Sequence, residues 1–324
     1  MNTKKRKSVM RTAAAVLAVA LTLLCAELPP WGGMAHAAGL APVAENLNYE
    51  TFRNVAITGR LAAVDPEGET VTFRICEKPG KGTVELGEDG MFTYTPLRGK
   101  KGRDSFSYIA ADQQGNESSP AVVMIEIRKQ STSVAYADMA GNSANYAALC
   151  LAEQDIFIGQ QLGGEYFFCP DAEVTRSEFL AMCMRACGAE TMTGVAGTGF
   201  YDDAEISDWA KPYVATALMA GLIEGYENDE GRTVFAPDMP VTMAEAVVML
   251  DNILEITDIS DAIASAECPE WACQAAANLS GCGVDTFYSA YADTLTRGEA
   301  ADMLLGALKI LDNRPSGFRL SWMA

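Results

Sequence analysis

A short motif occurs three times in the second half of this chain, each time before an apolar run with helical period. The copies read VTRSE at 174–178, VTMAE at 241–245 and LTRGE at 295–299. A unit of this size cannot bury its apolar face alone, so the copies must pack against one another around a shared core. The sequence therefore predicts a ligand-binding repeat domain, rather than a domain built around a single catalytic pocket.

The threonine and glutamate of each copy have a local explanation. Each threonine is placed as a helix N-cap, and the glutamate three residues later completes a capping box. The pairs are Thr175 with Glu178, Thr242 with Glu245, and Thr296 with Glu299. Such a helix start needs no ligand. It also leaves unexplained the arginine that follows the threonine in two of the copies.

The N-terminal segment predicts export. Basic residues between Lys4 and Arg11 precede an apolar stretch over 13–25, and Ala35-His36-Ala37 supplies the small residues of a cleavage site. We interpret residues 1–37 as a signal peptide. The alternatives are an uncleaved membrane anchor and a lipid anchor at Cys25.

Charge and histidine content then exclude several classes of function. Residues 1–37 hold five of the 24 Lys+Arg and one of the 43 Asp+Glu, so the remaining chain has a net charge of about −23. Such a surface repels nucleic acid and anionic lipid, and we expect neither as a partner. The only histidine, His36, leaves with the signal peptide, which excludes a Ser-His-Asp triad, a Cys-His pair and a histidine-ligated zinc. We predict no cofactor.

Eight cysteines remain after processing, and two interpretations stay open. An even number in an exported chain is consistent with disulfides, for example Cys268–Cys282. The other interpretation is buried thiols, because Cys150, Cys183 and Cys187 lie within apolar helical runs. Cys183 and Cys187 are also four residues apart on one helix face, a spacing that rarely meets disulfide geometry. No paired C-x-x-C motifs support a thiolate metal site.

Residues 42–129 follow a different pattern from the repeats. Short alternating or β-branched runs lie between turn signals, which read DPEG at 65–68, PGKG at 79–82, EDG at 88–90, GKKG at 99–102 and QGN at 114–116. This spacing predicts an antiparallel β-sandwich, and residues 130–134 are predicted to be a linker. A mature chain of about 290 residues is too long for one ordinary core, in agreement with two domains.

The order of these segments resembles the bacterial immunoglobulin-like or cadherin-like modules of surface proteins. The resemblance rests on residues 65–68, 82–84, 90–96 and 102–108. It implies a spacer or an adhesive unit that binds a surface protein or a host partner. Some relatives bind calcium, and oxygen ligands of the right kind are present at Asp65, Glu67, Asp104 and Asp112. The alternative is that these side chains shape turns and cap loops.

The second half resembles three S-layer homology repeats, over 135–190, 198–256 and 262–312. The second copy carries most of the pattern, with FYD at 200–202, AGLIEGY at 220–226 and FAPDMP at 235–240. The first copy has YAD at 136–138 and FCPD at 168–171. The third has Trp271 twelve residues before Gly283, as Trp209 is before Gly221. The resemblance implies an all-α domain with pseudo-threefold symmetry.

In that family, grooves between repeats bind an anionic, often pyruvylated, secondary cell-wall polysaccharide attached to peptidoglycan. The resemblance implies a glycan site made of Arg176, Arg297, Thr175, Thr296, Glu178, Glu299, Trp209 and Trp271. The arginines would contact a carboxylate, because a guanidinium beside a helix N-terminus offers paired donors and a favourable dipole. The tryptophans would pack on sugar faces, unless they pack at the helix starts instead. The arginine mechanism fails if both guanidinium groups are buried in intramolecular ion pairs.

Met243 occupies the arginine position of the second repeat, so we expect one or two working grooves, with Arg176 the stronger candidate. We predict a secreted, non-enzymatic protein that is held noncovalently at the cell wall or S-layer surface. One alternative is a structural or protein-binding scaffold with degenerate grooves. Another is a glycosidase that uses two carboxylates, but no carboxylate pair and no spare segment support it.

Overall fold

The computed structural model describes residues 39–256, 268–284 and 290–323. The predicted signal peptide and the first residues of the third repeat, 262–267, lie outside the described residues. Within the part that is described, no helix is long and apolar enough to cross a membrane.

The N-terminal region is a β-sandwich of nine strands. They are β1 (Val43–Ala44), β2 (Leu47–Phe52), β3 (Ile57–Arg60), β4 (Ala63–Val64), β5 (Thr72–Glu77), β6 (Gly82–Leu86), β7 (Met91–Pro96), β8 (Gly102–Ala111) and β9 (Ala121–Arg128). One sheet has the order β2-β9-β8-β5, the other has the order β3-β7-β6, and β1 pairs with β4. The predicted sandwich is therefore confirmed as a β-rich domain.

One strand pair departs from the predicted antiparallel arrangement. Strand β2 runs parallel to β9, with Leu47 opposite Val123, whereas the other strand pairs of the sandwich are antiparallel. Strands β2 and β9 are separated by six other strands in the sequence, so no short hairpin fixes their relative direction. The turn signals in the sequence could not reveal this pairing.

Strict alternation along β9 places the core of the sandwich. Val123, Ile125 and Ile127 are buried, while Val122 and Met124 between them face solvent. These buried side chains pack against aromatic rings of the facing sheet. This is the arrangement expected of a strand that has one buried and one exposed face. The buried phenol of Tyr108 is satisfied, because its hydroxyl lies 2.6 Å from the carbonyl oxygen of Glu45 and 2.7 Å from that of Ala62.

The C-terminal region contains six α-helices and two short hairpins among its described residues. The helices are α1 (Asn145–Glu153), α2 (Arg176–Ala186), α3 (Lys211–Met219), α4 (Met243–Leu254), α5 (Glu270–Gly281) and α6 (Arg297–Asp312). The hairpins are β10 (Gln160–Leu162) with β11 (Glu165–Phe167), and β12 (Tyr226–Glu227) with β13 (Thr233–Val234). The prediction of an all-α region is therefore wrong. Strands of two or three residues are too short to show a period in the sequence.

The helices α2, α4 and α6 begin at the repeated motif, and each begins with the predicted capping box. In all three, the threonine side chain accepts from the glutamate amide, and the glutamate side chain accepts from the threonine amide. These helices start where the sequence predicts because the signal is entirely local.

A closed ring of backbone hydrogen bonds joins the residues that precede the three N-caps. The Val174 amide donates to the Leu295 carbonyl (2.9 Å), the Leu295 amide to the Val241 carbonyl (2.8 Å), and the Val241 amide to the Val174 carbonyl (2.9 Å). All three residues are fully buried. The ring holds the N-terminal ends of α2, α4 and α6 together at the centre of the region.

The segment that joins the sandwich to the helices is fixed rather than free. Glu153 at the end of α1 accepts hydrogen bonds from the amides and hydroxyls of Ser131 and Thr132. Partial burial opposes ionisation of this carboxyl group, but the four hydrogen bonds outweigh it and lower its pKa to about 2. The rings of Phe52 and Tyr146 pack beside this segment with centroids 5.3 Å apart. The predicted linker is thus part of a packed junction.

Candidate functional site

Arg176 lies at the first position of α2, and its side chain is only 7% exposed. Its Nε donates to the carbonyl oxygen of Phe235 (3.0 Å), and its Nη1 lies 3.7 Å from Oε1 of Glu245. The guanidinium also stands over the rings of Tyr226 and Phe235, at 4.4 and 5.3 Å from their centroids. The arginine of the first repeat is therefore held by the hairpin and helix start of the second.

Arg297 makes the same kind of contact between the third repeat and the first. Its side chain is 11% exposed, and its Nη2 lies 3.3 Å from Oε1 of Glu178. The guanidinium stands 5.4 Å from the ring centroid of Phe157 and has the carbonyl oxygen of Phe168 at 3.5 Å from Nη1. The arginine of the third repeat is thus held by the first.

Met243 occupies the third equivalent position, at the start of α4, and is fully buried. The glutamate that corresponds to Glu245 and Glu178 at this third position is Glu299. It forms a capping box with Thr296 but no salt bridge among the described residues. The chain therefore has two arginine–glutamate pairs where three identical repeats would have three.

These pairs change the role that the sequence assigned to the arginines. Arg176 is buried and Arg297 is partly buried, and each guanidinium is paired with a glutamate of a neighbouring repeat. The condition under which the direct-contact mechanism fails is therefore met for Arg176 and only in part for Arg297. The physical reason is that a capping box uses one oxygen of its glutamate and leaves the other facing the neighbouring repeat. The arginine of that neighbour then neutralises the carboxylate. The spacing within one motif cannot identify the partner glutamate, because each pair joins two different repeats.

The helix N-termini are also occupied. The backbone amides of Arg176, Met243 and Arg297 donate to carbonyl oxygens of the next repeat, at Met239 (3.0 Å), Asp293 (2.9 Å) and Ala172 (2.8 Å). These are N–H groups that a helix leaves without an internal partner. They join neighbouring repeats, so they are not available to an anion in the way the sequence analysis expected.

Tyr226 is a site residue that the sequence analysis did not single out. Its hydroxyl donates to Oε1 of Glu245, the oxygen that faces Arg176. Burial and this hydrogen bond raise the pKa of Tyr226 well above its ordinary value. The signal was available, because Tyr226 ends the AGLIEGY segment, but its partner lies 19 residues further along the chain.

The two tryptophans are the accessible members of the predicted site. Trp209 is 52% exposed just before α3, and Trp271 is 60% exposed at the second position of α5. The packing alternative would leave these residues covered, whereas more than half of the surface of each one faces solvent. A flat, apolar ring in this position offers a surface for the C–H face of a sugar.

Residues 40–129 match the bacterial cadherin-like domain family, and residues 199–247 match the S-layer homology domain family. The chain carries both domains. The S-layer homology domain associates the protein with the cell wall at the bacterial surface.

Two curated relatives are large carbohydrate-acting enzymes. The chain is 38% identical over 89 residues to an amylopullulanase of Thermoanaerobacterium thermosulfurigenes, and 39% identical over 89 residues to the exoglucanase XynX of Acetivibrio thermocellus. Each alignment covers 26% of this chain, which spans only 5% and 8% of those two proteins. The activities in their names therefore belong to those enzymes.

Among solved structures, an endo-fucoidan hydrolase from glycoside hydrolase family 107 is 22% identical, with a TM-score of 0.24. That alignment covers 29% of this chain and 14% of the hydrolase. A score this low supports no argument about fold or function.

In the cadherin-like domain, the four calcium candidates serve turns and loops. Oδ1 of Asp65 accepts from the amides of Glu67 and Glu69, and Oδ1 of Asp112 accepts from the amides of Gln114 and Asn116. Asp104 accepts from the amides of Gly80 and Lys81 and from the Tyr94 hydroxyl, while Glu67 accepts from the amide of Leu40. The contacts of Asp65 and Asp112 within their own turns are those that the turn-shaping alternative expects. No group of three or more acidic, cysteine or histidine residues that could hold a metal occurs in the described ranges.

In the helical C-terminal region, the cysteines agree in part with the buried-thiol interpretation. Cys150 and Cys183 are buried, and burial raises the pKa of the Cys150 thiol to about 11. The suggested Cys268–Cys282 bridge is wrong. The two residues flank opposite ends of α5, separated by about 18 Å of helix, far beyond the reach of a disulfide.

Proposed function

We propose that the S-layer homology repeats hold this protein noncovalently on an anionic secondary cell-wall polysaccharide. The cadherin-like domain then acts as a spacer or adhesive module on the cell surface, and residues 1–37 serve as its export signal. The match of residues 199–247 to the S-layer homology family carries the proposal.

We propose that residues 135–312 form one pseudo-threefold domain of three repeats. Three observations support it: the ring through Val174, Val241 and Leu295, the three capping boxes, and the cyclic order of the amide contacts at the helix starts. Each contact leads from one repeat to the next and the third returns to the first. A repeat that packs in this way buries its apolar face against both neighbours.

In this proposal the tryptophans and the arginines have different roles. Trp209 and Trp271 contact the sugar directly, since both residues are exposed near the starts of α3 and α5. Arg176 is a positioning residue that keeps the first and second repeats together. Arg297 remains the better candidate for an acidic substituent of the glycan, because its side chain is 11% exposed against 7% for Arg176. This reverses the sequence-based preference for Arg176.

The test is cosedimentation of the protein lacking residues 1–37 with peptidoglycan sacculi, before and after acid extraction of their secondary polysaccharide. We expect retention on intact sacculi, loss of retention after extraction, and weaker retention for Trp209→Ala and Trp271→Ala. Met219→Ala is the matched control, because Met219 is 76% exposed on α3, the helix that follows Trp209. Unchanged retention of the double tryptophan variant would remove these residues from the site.

A second candidate function is a scaffold whose grooves bind no glycan. The pairing of both arginines with glutamates of neighbouring repeats favours it, because these side chains are only 7% and 11% exposed. Folded protein that does not sediment with intact sacculi of the producing organism supports this candidate and rejects the glycan anchor. In both cases we propose that the chain has no catalytic activity of its own, which hydrolysis assays on wall polysaccharide can test.

A further inference from the structure

Two cysteines flank the first turn of α5. Cys268 lies immediately before the N-cap residue Pro269, and Cys273 is the fourth residue of the helix. Side chains at these two positions of a helix start face each other, and in many helices they are apolar residues in contact. Local geometry alone therefore brings the two thiols together.

The distances agree with this placement. The Cys273 sulfur lies 3.3 Å from the carbonyl oxygen of Cys268 and 3.3 Å from that of Pro269. The Cys268 sulfur lies 3.7 Å from the same Pro269 oxygen. Both sulfurs thus contact one carbonyl group, which places the two thiols beside each other.

We propose that Cys268 and Cys273 form a disulfide bond in the protein at the cell surface. An extracellular location is one where disulfides persist. Both cysteines are partly exposed, so an oxidant can reach them. Cys183 on α2 and Cys187 at the C-cap of that helix are also close in sequence, but Cys183 is fully buried and inaccessible to an oxidant.

The reaction is thiol–disulfide exchange with a disulfide-bearing oxidant such as glutathione disulfide. The Cys273 thiolate attacks one oxidant sulfur, which breaks the oxidant S–S bond, forms a mixed disulfide and releases one glutathione thiolate. Cys268 then loses its proton and attacks the Cys273 sulfur, which releases the second glutathione. The two protein thiols lose two protons and two electrons, and the oxidant gains both. Burial and the adjacent Cys273 thiol raise the pKa of Cys268 to about 11, in agreement with its acting second.

The bridge would close a loop that contains Trp271. On the proposed function, it fixes the helix start that presents one of the two sugar-contacting rings. The bridge itself does not depend on that function, and its test involves no glycan, so the two proposals can fail separately.

The test is peptide mapping of the full chain after incubation with glutathione disulfide under native conditions, followed by blocking of free thiols in denaturant. A glutamate-specific protease cuts after Glu267 and Glu270, which separates a Cys268 tripeptide from the peptide that begins at Trp271. We expect these two peptides to be recovered joined, and to separate on reduction. The link persists in Cys282→Ser, the matched control at the other end of α5, and is absent in Cys273→Ser.

Two results overturn the proposal: recovery of both peptides unlinked and blocked, or loss of the link in Cys282→Ser. A second measurement needs no variant, so it stands even if a substituted protein does not fold. A bridge that closes so short a loop is expected to raise the Tm of the oxidised protein by about 4 to 8 °C above that of the reduced protein. Equal Tm values in the two redox states count against the bridge.

Discussion

The Nη2 atom of Arg297 lies 3.3 Å from Oε1 of Glu178, although 119 residues separate them in the chain. This contact joins the last repeat to the first. The pair Arg176–Glu245 joins the first repeat to the second in the same way, with nitrogen and oxygen 3.7 Å apart. The repeated arginine is thus explained by the assembly of the repeats, which helix capping alone could not explain.

Loss of one arginine is expected to destabilise the fold. Arg176→Ala leaves the Glu245 carboxylate, only 19% exposed, without its cation, and we expect a cost of about 3 kcal/mol in the free energy of unfolding. Urea denaturation measures it. Arg103→Ala is the control, because its pair with Glu126 is largely exposed and is expected to contribute little. Equal stability of the two variants would show that the buried pair is unimportant.

Removal of the second charge is expected to restore part of that loss. In Arg176→Met, the largely buried Glu245 carboxylate has lost its cationic partner. The double variant Arg176→Met with Glu245→Gln has neither charge, so no carboxylate is left without a cation. Met243 shows that a methionine fits an equivalent position of this ring. A double-mutant cycle measured by urea denaturation should give a coupling energy of about 1 to 3 kcal/mol. Simple additivity of the two substitutions would indicate that the pair does not interact.

The three capping boxes are expected to contribute equally. Thr175→Ala, Thr242→Ala and Thr296→Ala each remove an acceptor for a helix amide, at a cost of about 1 kcal/mol each. Thr→Ser at the same positions keeps the hydroxyl oxygen and serves as the control. Thermal unfolding of the six variants checks the prediction. It is wrong if the serine variants lose as much stability as the alanine variants.

The junction between the domains is expected to weaken in acid. The folded protein lowers the pKa of Glu153 from 4.5 to about 2, so the unfolded chain binds its proton first as the pH falls. The stability that Glu153 contributes is therefore complete above pH 4.5 and disappears as the pH falls to about 2. Glu153→Gln should be less stable than the wild type at neutral pH, with a difference that shrinks across this range. A difference that does not change with pH would contradict the assignment.

What the sequence could predict was local. The capping boxes follow from a threonine and a glutamate three residues apart, and the sandwich follows from turn signals and alternation. The pairing of Arg297 with Glu178, and the parallel pairing of β2 with β9, depend on which distant segments become neighbours. The exposure of Trp209 and Trp271 also depends on tertiary packing. No spacing rule within a single repeat contains that information.

The ring through Val174, Val241 and Leu295 has a mechanical consequence for a protein fixed to a wall. Tension on a linear array of repeats can peel the units away one after another. Here each of the three residues is hydrogen-bonded to both of the others. Detachment of any one repeat must therefore break two backbone hydrogen bonds of the ring together. A pull that enters through the first repeat is shared by all three. The anchor should therefore yield in a single event at one force, rather than in steps.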